Sequence, residues 1–414
     1  MKLFKYLKGR FQKMLQKGDK MTNRIELKDI QIKDNKSKYE LIFKISINGE
    51  LYNLKYKIQF IGEKINYRFE KRFDSTVVTF LLFSMVNGYD FYSDYPISET
   101  LYYNLIYHII PQIKRCNPET KSISINAPLT KEKADSKYVA TGISCGIDSL
   151  TTIYEYSKLC ELDNYKLTHL VYFKTGAHDG QLGRFDKDVE NNLFTSQLKN
   201  AKKFCDESNF PLIIVDSNLN EILSDSFGFT SYERTHTLRN CGTMLLFLNV
   251  FSKYYYSDTY SLDEFELNIY NDIAHYEKWM LPLLSTENIN FYSANKSMSR
   301  FEKTELLTSY ELSFNNLLVC WYEGENCGRC DKCIRTLVTL DLIGKLAFYK
   351  NSFDIDNYKK NRKKYITRVI ALRKVDSFYN DIYIHMDRKT KIFISPVYFI
   401  VYKFEALMKK LREE

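Results

Sequence analysis

An apolar run at residues 138–143 leads directly into a turn of small residues, and the turn leads into a helix. The turn reads Ser144, Cys145, Gly146, Ile147, Asp148 and Ser149. Where a helix starts at such a turn, the free N–H groups of its first residues and the positive end of its dipole point at one spot. The sequence therefore predicts an α/β fold with a phosphate-binding turn at residues 144–149.

The side chains of this turn suit a phosphate ligand that carries a cation. The hydroxyls of Ser144 and Ser149 can donate hydrogen bonds to phosphate oxygens. Asp148 would repel a bare phosphate, so we expect it to hold Mg²⁺, which prefers carboxylate and phosphate oxygens. The Gly-x-x-x-x-Gly-Lys-Ser/Thr pattern of another large nucleotide-binding class is missing here. A tight strand-to-helix turn with a serine cap and no ligand is the alternative interpretation.

A second feature is a group of four cysteines within fourteen residues. Its members are Cys320, Cys327, Cys330 and Cys333. Cys-x-x-Cys spacing lets thiolates converge on one ion, and Gly328 allows the backbone to turn around it. Four sulfur ligands match a structural Zn²⁺ site with no open position for catalysis. An iron–sulfur cluster is the competing occupant.

The turn and the cysteine group together resemble the 7-cyano-7-deazaguanine synthases of the ATP pyrophosphatase (adenine nucleotide alpha hydrolase-like) superfamily. The pyrophosphate loop of that superfamily reads Ser-Gly-Gly-x-Asp-Ser, and Cys145 stands in place of its first glycine. The run from Cys327 to Cys333, preceded by Cys320 and followed by Arg335, is very similar to the cysteine segment of these synthases.

Two shorter matches lie between the turn and the cysteine group, in the same order as in the synthases. Arg239-Asn240 resembles an Arg-Asn pair of these enzymes, and Lys303-Thr304-Glu305 resembles a Lys-x-Glu segment. The similarity covers residues 138–345. The Tyr-Pro-Asp-Cys-Arg segment that the synthases carry between these two matches is missing, so we expect a different substrate pocket.

The resemblance implies an enzyme that uses ATP, Mg²⁺ and Zn²⁺ and adenylates a carboxylate or carbonyl-type oxygen with release of pyrophosphate. A nitrogen transfer or ligation would follow. The implied catalytic residues are Asp148, Ser149, Arg239 and Lys303. The implied nucleotide-binding residues are Ser144, Cys145, Gly146, Ile147, Asp148, Ser149 and Asn240. The implied metal ligands are Asp148 for Mg²⁺ and Cys320, Cys327, Cys330 and Cys333 for Zn²⁺.

Several of these residues have simpler interpretations. Arg239 and Lys303 are equally consistent with ordinary surface cations. Cys145 is either a nucleophile at a helix N-terminus or a small residue tolerated at a glycine position, and we favour the second. His236 is either a general base or a structural histidine beside a helix cap.

Hydrophobic periodicity predicts four segments in this chain of 414 residues. These are a basic amphipathic segment at 1–20, a small α+β domain at 21–130, the domain at 138–345, and a basic helical region at 346–414. In the α+β domain, Asn48-Gly49 predicts a hairpin turn, and helices are expected at 76–87 and 99–114. From residue 138, strands are predicted at 138–143, 170–173, 212–215, 257–262 and 317–320, with helices at 148–159, 189–205 and 238–253. This alternation is typical of a parallel sheet with helices on both faces.

Charge and composition bear on location and partners. The net charge is +9, which favours an anionic ligand or surface. Segment 1–20 either lies on an anionic membrane or packs on its own domain. It lacks the apolar core of a signal peptide, and we expect a cytoplasmic homo-oligomer whose nine cysteines serve metal binding or catalysis.

Three classes of function remain open at this level. The first is an ATP-dependent ligase that acts on an acidic substrate, either a small molecule or a protein-linked group. The second is an RNA-modifying enzyme such as a base thiolase, which is not favoured. The third is a nucleotide-binding subunit without catalysis. Because Asp148 and both serines are present, we favour the ligase.

Overall fold

The structure is a computed structural model, and it describes residues 23–34, 38–62, 65, 67–178, 187–227, 229, 232–268, 272–320, 322 and 324–413. The amphipathic segment expected at 1–20 lies outside the described residues. Within them, no helix combines the length and the apolar character needed to cross a membrane.

The first three strands are long, three two-residue strands follow, and strands of five to seven residues come after them. They are β1 (Arg24–Asp34), β2 (Lys38–Ile47), β3 (Glu50–Ile61), β4 (Asp90–Ser93), β5 (Ile97–Ser98), β6 (Ile125–Asn126), β7 (Leu129–Thr130), β8 (Tyr138–Gly142), β9 (His169–Lys174), β10 (Leu212–Ser217), β11 (Phe251–Ser257) and β12 (Asn290–Ala294).

The α-helices lie between and after these strands. They are α1 (Asp74–Asn87), α2 (Glu99–Asn104), α3 (Ile110–Cys116), α4 (Ile147–Tyr154), α5 (Lys187–Ser208), α6 (His236–Met244), α7 (Glu277–Leu283), α8 (Arg300–Leu307), α9 (Asp331–Leu342), α10 (Ile355–Leu372), α11 (Ser377–Ile384), α12 (Arg388–Ile392) and α13 (Pro396–Glu413). The region after residue 346 is therefore helical, as predicted.

Among the described residues, one large sheet contains ten strands in the order β12-β11-β8-β9-β10-β3-β2-β1-β4-β6. The five strands from β12 to β10 are parallel to one another. β3 pairs antiparallel with β10, so the segment predicted as a separate α+β domain extends the same sheet. The predicted hairpin joins β2 to β3 at Asn48-Gly49, both of which have positive φ.

Side chains of the central strands alternate between two hydrophobic cores, one on each face of the sheet. In β10, Leu212 and Ile214 belong to the core that α5, α9 and α10 cover, whereas Ile213 and Val215 belong to the core that α1 and α6 cover. A strand that buries both faces reads as a continuous apolar run, which is the pattern expected for parallel sheets. The α/β class and the mostly parallel sheet agree with the prediction.

The strand order reverses at β8. The chain runs from β8 to β9 and β10 on one side, and β11 and β12 lie on the other side. The carboxyl ends of β8 and β11 thus flank a topological switch point, which is where ligands bind in open α/β sheets. The turn at residues 144–149 directly follows β8 at this edge.

Three predicted elements were wrong. The helix expected at 238–253 ends at Met244, and the aromatic run from Phe251 forms β11 instead of the strand expected at 257–262. Phe and Tyr favour strands, and this preference outweighed the helical spacing. Residues 317–320 form no strand because the N–H of Leu318 bonds to the 144–149 turn and the N–H groups of Val319 and Cys320 bond to the Asn326 side chain instead of to a sheet.

Gly242 provides a test of the packing between α1 and α6. A Cβ at this position would lie 2.9 Å from the Thr79 nitrogen and 3.1 Å from the Ser75 carbonyl oxygen, and it would also overlap the Thr79 hydroxyl. We expect Gly242→Ala to lower the free energy of unfolding by about 1–2 kcal/mol, because the overlap exceeds the gain in helix propensity. Chemical denaturation measures this. Leu51→Ala, at a side chain 73% exposed, is the control that should stay within about 0.5 kcal/mol. An unchanged midpoint for Gly242→Ala would contradict this packing.

Candidate functional site

The turn after β8 combines an uncapped helix start with a positive backbone φ at one residue. Gly146 is the N-cap of α4 in an extended conformation, and no side chain among the described residues caps this helix end. Cys145 has a φ of 58°, in the left-handed region that favours glycine. The residue type that the resemblance expects at position 145 is thus the type that the backbone conformation favours.

Cys145 is 1% exposed, and burial raises the pKa of its thiol to about 12. A reactive cysteine needs a thiolate near neutral pH. The environment therefore favours the interpretation of Cys145 as a small residue at a glycine position and disfavours the interpretation as a nucleophile.

The two serine hydroxyls of the turn lie together. The Oγ atoms of Ser144 and Ser149 are 3.2 Å apart, and the Ser149 hydroxyl donates to the Gly146 carbonyl at 3.2 Å. The Gly146 N–H donates to Ser144 Oγ at 3.3 Å. Both hydroxyls are consequently held at the start of α4, beside the N–H groups of its first turn.

Asp148 lies in the first turn of α4 and pairs with two cations from α8. Arg300 Nη2 is 2.9 Å from Asp148 Oδ2, and Lys303 Nζ is 3.5 Å from Asp148 Oδ1. Lys303 is fully buried, so the interpretation as a surface cation was wrong. Burial lowers the pKa of Lys303, while the Asp148 carboxylate opposes this shift. The Lys303 ammonium also donates to the carbonyl of Asp258 at 2.6 Å. Lys303 therefore links Asp148, which follows β8, to Asp258, which follows β11.

Two more basic residues come from the start of α9. Lys332 is partly buried, and its pKa is lowered to about 8 by burial and by the charges of Arg300 and Arg335, while Asp148 opposes the shift. Arg300 and Lys303 contact Asp148, Lys332 interacts electrostatically with it, and Arg335 lies near Lys332. We call these four residues the basic cluster. Asp148 and Asp376 pair with members of this cluster, and the excess of cations is electrostatically suited to a polyanion.

The C-terminal region positions two members of the basic cluster. The guanidinium carbons of Arg300 and Arg335 lie 5.1 and 4.5 Å from the ring centroid of Phe378, at the start of α11. Arg335 Nη1 also lies 3.6 Å from Asp376 Oδ1. The ring of Phe378 is in turn stacked on Tyr260 at 5.5 Å. Two arginines are thus held by cation–π contacts to one ring.

Arg239 and Asn240 lie further along the same sheet edge, beyond β9 and β10. Arg239 is fully buried, which excludes the surface interpretation, and its Nη1 donates to the Thr175 carbonyl at 3.0 Å and to Asn220 Oδ1 at 2.9 Å. Asn240 Oδ1 accepts from the Thr175 hydroxyl at 2.8 Å. A side chain at Gly176 would overlap the guanidinium of Arg239. Because its partners Thr175 and Asn220 follow β9 and β10, this pair lines a part of the edge next to the turn at 144–149.

A buried acidic pair lies after β11. Glu277 is buried beside Asp258, and burial together with the charge of Asp258 raises the pKa of Glu277 well above its usual range. Lys278 Nζ pairs with Asp258 Oδ2 at 3.1 Å.

His236 contacts the Tyr256 hydroxyl at 2.8 Å and Asp272 at 3.2 Å. These contacts form a structural network at the start of α6.

The four cysteines form a site for one metal ion. The sulfur atoms of Cys320, Cys327, Cys330 and Cys333 all lie within 4.8 Å of one another. A tetrahedral zinc site with Zn–S bonds of ~2.3 Å needs sulfur separations of roughly 3.8 Å, so a small contraction would complete it. Gly328 has a φ of 68°, which permits the tight turn between the ligands. The group is compatible with zinc, and we call it the cysteine cluster.

Asn326 organises the backbone before the cysteine cluster. Its Oδ1 accepts from the N–H groups of Val319 (2.8 Å) and Cys320 (3.2 Å), and its Nδ2 donates to the carbonyls of Leu317 (2.8 Å) and Ser352 (2.9 Å). One amide side chain thus fixes the loop that carries the first cysteine ligand.

A backbone hydrogen bond connects the segment before the cysteine cluster to the turn at 144–149. The N–H of Leu318, two residues before Cys320, donates to the carbonyl of Cys145 at 2.8 Å. A Cβ at Gly146 would lie 3.8 Å from the Leu318 carbonyl oxygen. The metal-binding segment therefore lies directly against the turn.

Comparisons with known proteins leave the family open. No protein-family model matches the chain, and neither the curated proteins nor the solved structures include a significant match. The resemblance to the deazaguanine synthases therefore stays a prediction from the motifs.

Sequence reasoning missed several residues of the site. Lys332 lies inside the cysteine motif, and Arg300 lies three residues before Lys303, so their charge and position were available signals. Asn326 and Phe378 carried no signal, because their roles depend on contacts with distant segments.

We expect Asn326→Ala to weaken metal binding without removing a ligand. The backbone N–H groups of Val319 and Cys320 would lose their acceptor. Each lost buried hydrogen bond costs about 1–3 kcal/mol. We predict roughly 10-fold weaker zinc affinity or more, measured by competition with a chromogenic chelator. Asn351→Ala, an exposed asparagine in the same region, is the control. Equal affinities for wild type and Asn326→Ala would show that the loop does not need this side chain.

Proposed function

We propose that the protein uses ATP to adenylate a carboxylate or carbonyl-type oxygen, releases pyrophosphate, and then transfers a nitrogen nucleophile to the activated group. The observation that carries this proposal is the arrangement at the switch point. An uncapped helix start, two clustered hydroxyls and the basic cluster lie together with the Asp148 carboxylate. A nucleotide with its pyrophosphate group is the ligand that uses all of these features.

In the first step, an acceptor oxygen attacks the α-phosphorus. A new oxygen–phosphorus bond forms, the bond between the α-phosphorus and the bridging oxygen breaks, and pyrophosphate takes the electron pair. Catalysis of such a step consists mainly of positioning and charge stabilisation. The N–H groups at the start of α4, together with Ser144 and Ser149, would hold the leaving pyrophosphate, and the basic cluster would neutralise its growing charge.

The donor set at the turn also suits Mg²⁺. Asp148 offers a carboxylate at the edge of the phosphate cradle, and its buried Oδ1 makes an ion pair with Lys303 at 3.5 Å but accepts no hydrogen bond. A bound Mg²⁺ would add charge neutralisation at the phosphates. Arg300 and Lys303 contact Asp148 in this structure. When Mg²⁺ binds Asp148, these two side chains would interact with phosphate oxygens.

In the second step, a nitrogen nucleophile attacks the adenylated carbon and AMP leaves. Arg239 and Asn240, at the neighbouring edge, would orient an acidic acceptor in this proposal. The cysteine cluster has no open coordination position when four thiolates bind the ion, so we assign its zinc a structural role.

Binding of inorganic pyrophosphate and of Mg-ATP tests the assignment of the basic cluster. We expect Arg300→Gln to weaken both by roughly 10- to 100-fold, because a charge-assisted hydrogen bond contributes about 1.5–3 kcal/mol. Titration calorimetry measures the affinities. Lys296→Gln, which changes an exposed lysine just after β12, is the control. Unchanged affinity in Arg300→Gln would contradict the site.

The products of turnover separate the proposal from its alternatives. With an acceptor acid and ammonia supplied, we expect AMP and pyrophosphate, and neither from Asp148→Asn. Formation of ADP and phosphate would contradict attack at the α-phosphorus. Turnover that requires RNA would favour the thiolating enzyme, and tight Mg-ATP binding without turnover under any condition would favour the subunit without catalysis.

Phe378 tests whether the C-terminal region contributes to the nucleotide site. Loss of its ring removes two cation–π contacts of about 0.5–1 kcal/mol each, so we expect Phe378→Ala to weaken pyrophosphate binding by roughly 5- to 30-fold. Phe378→Tyr, which keeps the ring, should restore the affinity. Phe348→Ala is the control, because that ring is half exposed and stacks on Phe314. If Phe378→Ala lowers the melting temperature but not the affinity, the ring is only structural.

A further inference from the structure

The last helix of the chain presents apolar side chains on the face that points away from the protein. Its exposed members, which we call the outer stripe, are Val397, Ile400, Val401, Phe404, Leu407 and Leu411. Their spacing of three and four residues places them on one side of α13. Ile400 is 71% exposed and Phe404 is 65% exposed, so this is a continuous apolar surface in water.

The opposite side of α13 is attached firmly to the protein. Tyr402 and Ala406 are buried there. Arg368 on α10 binds both carboxylate oxygens of Glu405 at 2.7 Å and lies 4.9 Å from the centroid of the Tyr402 ring. The helix is thus held in an orientation that keeps the outer stripe exposed.

Basic residues surround the outer stripe. Seven basic and three acidic residues lie between positions 388 and 414. Lys403 adjoins the stripe. Its burial and the nearby positive charges of Arg373 and Lys374 lower the pKa of its ammonium group. Ile392, on α12 just before α13, is 75% exposed and extends the apolar surface.

The positive charges near the outer stripe favour one of three surfaces that could cover it: a second copy of the chain, segment 1–20, or an anionic surface. A second copy on the outer stripe would bring one basic C-terminal region against another. The N-terminal segment 1–20 is itself basic, with seven Lys and Arg residues. Both arrangements oppose like charges. An anionic surface is complementary, since acyl chains accept the apolar stripe and lipid headgroups attract the flanking lysines.

We propose that the outer stripe of α13 lies in the headgroup region of an anionic lipid bilayer and holds the protein at a membrane surface. The observation that supports this is independent of the nucleotide site, and the protein would bind from one side without crossing the bilayer. The C-terminal region then has two roles, since α11 contacts the basic cluster and α13 contacts lipid.

Sedimentation with vesicles tests the proposal on the full-length protein. We expect binding to vesicles of phosphatidylcholine with 30% phosphatidylglycerol at least 10-fold tighter than to pure phosphatidylcholine, and weaker binding at higher salt. The double variant Ile400→Glu/Phe404→Glu and, separately, Lys403→Glu/Lys410→Glu should each lose at least 10-fold. Leu51→Glu, an exposed apolar side chain on β3, is the matched control and should bind as the wild type does.

Three further measurements make the outcome unambiguous. Melting temperature and zinc content verify that each variant is folded, and Phe404→Ser is the milder substitution if the double variant is not. Light scattering gives the molar mass. A halved mass in the double variant would overturn the proposal in favour of a second copy on the stripe. Vesicle binding that survives in the double variant would overturn it in favour of another basic segment, and no binding to anionic vesicles would overturn it outright.

Discussion

The hydrogen bond from the Leu318 N–H to the Cys145 carbonyl is the contact on which the arrangement of the site depends. It joins two segments that are distant in the chain, the turn that starts α4 and the loop that carries the first cysteine ligand. Asn326 holds the same loop through the neighbouring N–H groups. A metal ion in the cysteine cluster would therefore stabilise the turn as well, because ligation adds on the order of 10 kcal/mol to folding.

The cysteine cluster also sets the electrostatics of the site. It fixes the start of α9, so that Lys332 and Arg335 lie beside Arg300 and the buried Lys303. Bringing four cations together costs free energy, and a single carboxylate on Asp148 compensates only part of it. The ring of Phe378 holds both arginines through cation–π contacts, and the ion pair with Asp376 offsets part of the charge of Arg335. The site thus retains a net positive charge, which a polyphosphate would use.

Local sequence predicted the parts of this structure that depend on neighbouring residues. The turn after β8, the hairpin at Asn48-Gly49 and the cysteine cluster each follow from residue types at short spacing. The segment 317–320 shows where this fails. Its apolar residues suggest a strand, but its N–H groups bond to Cys145 and Asn326. Arg239 shows a second failure, because no local pattern reveals that a charged residue is fully buried against carbonyl and amide oxygens.

The sequence by itself determined the chemistry that is available: a small-residue turn with two hydroxyls and a carboxylate, four thiols at metal-binding spacing, and an alternation of strands and helices that specifies an α/β sheet. Only the tertiary structure decided which groups meet. It placed the turn at the switch point between β8 and β11, gathered the basic cluster around Asp148, brought Phe378 from the C-terminal region under two arginines, and left one face of α13 exposed. The reason is physical: spacing along the chain controls hydrogen bonds and ligand geometry within a few residues, whereas burial and charge pairing depend on segments that only folding brings together.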